Sequence, residues 1–169
     1  MADQWAGRER IRLLNPAFTG ATIARATEGY VEVTGSGLPF AYAYLIAPFV
    51  LHSETRSKLP GSLATRLLPW TEKFGEVIAT FPQRVAELSP YSSKGILLAT
   101  LGGLAELSGD ASLFAKPNAS LKRYTGQSGS TEVENILKKS HFVGKWLAAA
   151  GTPATVFTAL GVRFEDHYK

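Results

Sequence analysis

The chain has 169 residues, 45% of them apolar, with 18 Lys and Arg against 14 Asp and Glu for a net charge of +4. That length suits about one domain, and the apolar content is enough for a core, which excludes a chain kept disordered by low hydrophobicity. It has no cysteine, which excludes disulfides, thiolate nucleophiles, zinc–thiolate clusters and iron–sulfur centres.

The opening stretch MADQWAGRERIRLL mixes acids and bases around no apolar segment, so it does not read as a secretory signal, and a cytoplasmic location is expected. Asn15 as N-cap, Pro16 at the first helical position and Gly29 as a stop predict a helix with Phe18, Ile23 and Ala26 on or near one face. Residues 30–33 (YVEV) then predict a short strand. Gly35 and Gly37 repeat the first half of a dinucleotide fingerprint, but the third glycine is missing and a plain turn is the better reading. Residues 38–51 (LPFAYAYLIAPFVL) predict a buried helix kinked near Pro48; a membrane span needs about 20 such residues, so no membrane role is expected.

The polar stretch LHSETRSKLPGS (51–62) reads as a helix end and a capped turn. His52 would sit as a cation at the C-terminus of the apolar helix, Ser53 would cap the turn, Pro60-Gly61 would stop it and Ser62 would cap the next helix. Pro69 and Pro82 predict at least two helical pieces within 63–88, with Phe74, Val77, Ile78 and Phe81 on one face. Ile96, Leu97, Thr100 and Leu101 fit a helix that Gly102-Gly103 stops, and LAEL and SLFA predict a hairpin around Gly109-Asp110. Helix, helix, hairpin is the order of a winged-helix unit.

Residues 116–130 read as a polar loop, and Thr131 with Glu134 as a capping box. The following helix has an apolar stripe, Val133, Ile136, Leu137, Val143 and Leu147, flanked by Trp146, with Lys138, His141 and Lys145 on the other side; a short helix from Thr152-Pro153 to Gly161 comes after it. The predicted class is α+β, predominantly helical, with a winged-helix-like unit and a short β-hairpin. Residues 1–169 read as one compact domain, with possible sub-units 1–88 (helical) and 89–169 (winged-helix-like).

The charge excess is local. Residues 116–145 carry six bases, Lys116, Lys122, Arg123, Lys138, Lys139 and Lys145, against Glu132 and Glu134, while the rest of the chain balances. Such a face suits phosphates or an acidic partner, or is simply solvated. Residues 131–161 superficially match a helix-turn-helix, but Ala154, Thr155, Val156, Phe157, Thr158 and Leu160 offer nothing that reads base edges, so packing explains them better. His52-Ser53-Glu54 matches the His-x-Glu half of zinc deaminases, whose metal also needs cysteines that this chain lacks. GQSGS (126–130) fails the nucleophile-elbow pattern, and HExxH and Walker motifs are missing. Neither enzymatic activity nor a cofactor or metal is expected.

NPAF (15–18), GLPFAYAYLIAPFVLH (37–52), ETRSKLPGS (54–62), YSSKGILL (91–98), LKRY (121–124) and ILKKSHFVGKWLAAAGTPATVFTALGVR (136–163), in this order, resemble the middle component of bacterial three-component ABC systems. Such systems resemble the Lamassu class of anti-phage defence, with an SMC/Rad50-like ABC ATPase, an effector that is often a nuclease, and a small middle subunit. The resemblance implies a non-enzymatic adaptor that joins ATPase and effector and couples DNA sensing to effector control. It also implies structural or interface roles for the motif residues His52, Thr55, Arg56, Pro60 and Trp146. The other reading is a free-standing winged-helix regulator that binds DNA through the 116–145 bases. Reversing Lys138, Lys139 and Lys145 to Glu is expected to abolish function of the complex with the fold intact.

Overall fold

A computed structural model describes residues 14–117, 121 and 130–163. Helix α1 spans Pro16–Thr34. Asn15 caps it as predicted, its side chain accepting the Ala17 N–H at 2.9 Å. The predicted strand at 30–33 is instead the last turn of this helix, which Gly35 closes in the left-handed conformation (φ 67°). Gly29 is no stop. It lies where α1 meets a later helix so closely that a Cβ would overlap the His141 carbonyl.

The predicted helix over 38–51 is divided. Leu38–Pro39 form strand β1, Phe40–Tyr42 a 3₁₀ turn and Ala43–Val50 helix α2, with Pro48 inside it. Helix α3 is Ser53–Lys58 and α4 is Leu67–Lys73. Pro69 lies within the first turn of α4, where its missing N–H costs nothing. Arg66 takes the N-cap position of α4 without a side-chain bond, so Ser62 does not cap it.

Helix α5 runs unbroken over Gly75–Leu101, through both Pro82 and Pro90. Each proline removes one helical hydrogen bond. Burial of Val77, Phe81, Val85, Ile96 and Ala99 along the same helix outweighs that loss. Residues 75–81 of the piece predicted at 70–81 therefore share one helix with 96–101, while Trp70–Lys73 belong to α4.

The predicted hairpin is present as β2 (Ala105–Leu107) and β3 (Ser112–Ala115). β1 joins it, giving an antiparallel sheet in the order β1-β3-β2, with Leu38 opposite Leu113 and Glu106 opposite Phe114. Helix α6 spans Thr131–Ala148 and α7 spans Pro153–Ala159. Ser130, one residue before the predicted cap, accepts the Val133 N–H, while Thr152 caps α7 as predicted. The fold is α+β and mostly helical.

Helix α1 is the centre, packed mainly on α6 and α5. Glycines set both crossings. Gly20 faces Gly95 of α5, and Ala26 and Gly29 face Gly144 and His141 of α6. Beside them Phe49, Phe81, Trp70 and Trp146 interlock, with Phe49 and Phe81 centroids 4.7 Å apart and the indoles edge to face at 5.2 Å. Both buried indole N–H groups are satisfied, one by the last residue of α3 and the other by the loop between α3 and α4. Trp70 Nε1 donates to the Lys58 carbonyl and Trp146 Nε1 to that of Thr65, each at 2.7 Å.

Candidate partner interface

The polar stretch after α2 is a network joining four helices. His52 has extended backbone and is itself the N-cap of α3; its Nδ1 accepts the Thr55 N–H at 3.2 Å and lies 2.8 Å from Thr55 Oγ1. This corrects the predicted roles of His52 and Ser53. An acceptor at Nδ1 requires the neutral ring with its proton on Nε2. Burial, and next the nearby Arg84, push the His52 pKa below its ordinary value of 6.5.

The cation at the end of α2 is Arg56. It is only 7% exposed, and its Nη1 donates to the Val50 carbonyl at 2.6 Å while Nη2 reaches Glu132 Oε1 at 2.9 Å. The first bond satisfies a carbonyl that the helix end leaves free, and the second ties α3 to the start of α6. Arg84 of α5 completes the network by donating to Thr55 Oγ1 at 3.2 Å and Thr80 Oγ1 at 2.8 Å. Pro60 and Trp146 are buried.

Because the folded His52 pKa is lowered, its contribution to stability is fully present above the unfolded value of about 6.5. It is lost as pH falls through the folded value. Unfolding free energy measured between pH 7 and pH 5 should therefore decline, and His52→Asn, which keeps a capping oxygen, should flatten that decline.

The predicted basic face is mixed in sign. Lys138 is exposed, and the Lys139 ammonium lies 5.8 Å from the centre of the Phe142 ring. Lys145 Nζ and His141 Nε2 each lie 2.9 Å from the Glu32 carboxylate of α1, and Lys116 pairs with Glu106 at 3.3 Å. The hydrogen bonds from His141 and Lys145 hold the Glu32 carboxyl below its ordinary range. Lys122 and Arg123 lie outside the described residues. Reversing Lys145 would set two carboxylates side by side, so Lys138 and Lys139 are the cleaner pair for a charge-reversal test.

Sequence reasoning missed Glu32 because its segment read as a strand, and Arg84 because its contact with Thr55 is 29 residues away in the chain. A family model described as ABC-three component (ABC-3C) system Middle Component 3 matches residues 6–164. The chain belongs to this family. No curated protein and no solved structure matches it.

Among its described residues, this middle component has no group of three His, Asp or Glu placed to hold a metal, and no helix long and apolar enough to cross a membrane. What it does present is apolar surface. Leu97, Leu98 and Leu101, on the last turns of α5, are 55%, 44% and 76% exposed. Spacings of three and four place Leu101 beside both others on the helix. Leu107 and Phe114 of the following hairpin are exposed as well.

Proposed function

We propose that this middle component is a non-enzymatic adaptor, working in the cytoplasm, that bridges an SMC/Rad50-like ABC ATPase and an effector such as a nuclease. In a Lamassu-like anti-phage defence system it would couple DNA sensing by the ATPase to control of the effector. The observation that carries this reading is the leucine surface at the end of α5. Three adjacent leucines in water on a well-packed fold are an interaction surface awaiting a protein partner. The family supports the same conclusion, since a middle component implies other components to join.

A free-standing DNA-binding regulator is less well supported. Glu32 and Glu106 already sit on Lys145 and Lys116, so phosphates would have to compete with carboxylates for two of the described bases.

Co-expression with the other two components of the same system, followed by affinity capture, tests the adaptor. Leu97→Glu with Leu101→Glu alters exposed positions only, so its circular dichroism and melting temperature should match the parent. Recovery of at least one other component should be lost. Undiminished recovery would overturn the assignment of this surface. Binding of the isolated chain to duplex DNA, falling steeply as salt rises, would favour the regulator.

A further inference from the structure

Between α3 and α5 lies an open cleft of about 470 Å³. Leu14, Leu51 and Leu88 supply apolar lining, and His52, Arg84 and Glu87 supply polar groups. Its volume is in the range of pockets that take small molecules or a chain end. Arg84 is half-buried, and both its terminal nitrogens donate to neutral hydroxyls, those of Thr55 and Thr80. Among the described residues no carboxylate pairs with it. These hydroxyls hold the guanidinium in a fixed orientation, and each Nη keeps a further N–H.

His52 adds a second donor. With Nδ1 committed to Thr55, its Nε2 carries the proton and has no partner among the described residues. Burial and the nearby Arg84 keep the His52 ring neutral, so its Nε2–H stays a donor without adding charge to the cleft. Glu54 and Glu87 attract the half-buried Arg84 guanidinium across the cleft, but no carboxylate among the described residues hydrogen-bonds it, so its spare N–H groups and the unused imidazole N–H lie open next to three leucines.

We propose that this cleft binds a carboxylate with an apolar tail, the carboxylate taken by Arg84 and the His52 Nε2–H and the tail by the leucines. A planar monoanion matches the guanidinium fork. Inorganic phosphate fits less well, because Glu54 and Glu87 also line the cleft and repel a dianion more strongly. The carboxylate can come from a small free acid or from the C-terminal residue of a polypeptide. This inference is independent of the adaptor reading.

Titration of the intact chain with N-acetyl-leucine, followed through the His52 ring and Arg84 Nε–H NMR signals, tests it. Saturable shifts are expected, with N-acetyl-leucinamide weaker by about tenfold or more. A hexapeptide ending in a free leucine carboxylate forms a second arm. Tighter binding of the peptide marks a chain terminus as the source, and equal binding marks a small acid. Arg84→Gln should weaken N-acetyl-leucine by about tenfold. Glu87→Gln, at an exposed position, should strengthen it by about threefold, whether or not the Arg84 variant folds. Equal binding of acid and amide, tighter binding of inorganic phosphate, or no gain in the Glu87 variant would overturn the proposal.

Discussion

Replacing Trp146 by alanine should destabilise the fold by about 4 kcal/mol, the middle of the range for a buried aromatic. The indole is 1% exposed and meets Trp70 at 5.2 Å, Phe49 at 5.7 Å and Phe142 at 6.4 Å between ring centres. These neighbours come from α4, α2 and α6, so no single element can shift to fill the cavity. The Thr65 carbonyl loses its donor too, but Thr65 is exposed and water can replace that bond. Trp146→Phe should therefore recover most of the loss, since packing dominates. Urea unfolding reads the difference directly, and the alanine variant should melt about 8–16 °C lower.

Gly144→Ala should cost about 3 kcal/mol or more, although alanine is the better helix former by about 1 kcal/mol at an exposed site. A Cβ at this position would overlap the Ala26 carbonyl oxygen, and the Ala26 Cα would lie only 2.9 Å away. The obstacle is backbone, so it cannot rotate aside; α1 and α6 would have to separate along a shared crossing that also holds Gly29 against His141. Gly75→Ala is the control. Gly75 has nothing within 4 Å of its Cβ position, so this variant should be neutral or more stable. Equal effects from the two substitutions would mean that helix propensity, and not the crossing, governs Gly144.

Local signals in the sequence were readable and long-range ones were not. The Asn15 and Thr152 caps, the hairpin at Gly109-Asp110 and the apolar stripe of α6 depend on residues a few positions apart, and they appear as predicted. Gly29 and Pro82 carry the usual marks of a helix end, yet both lie inside helices. At Gly29 the absent side chain serves a neighbouring helix, and at Pro82 tertiary burial overrides propensity. Strand β1 exists only because β3 comes back to pair with it, so nothing in residues 38–39 alone announces a strand.

The polar stretch after α2 shows the same divide. Its density of hydrogen-bonding groups is plain in the sequence, but the partners of Arg56 and Thr55 lie 76 and 29 residues away. His52 therefore read as a cation at a helix end, where the geometry makes it a neutral N-cap and gives the cationic position to Arg56. For the charged surface, the excess of bases in 116–145 was visible, but the packing of α1 on α6 that brings Glu32 to His141 and Lys145 was not.

The most direct measurement is size-exclusion chromatography with light scattering on the co-expressed three-component system, with and without this chain. The adaptor reading predicts that ATPase and effector elute as one complex only when the middle component is present. Co-elution of ATPase and effector without it, or elution of this chain alone while the other two stay together, would contradict that reading.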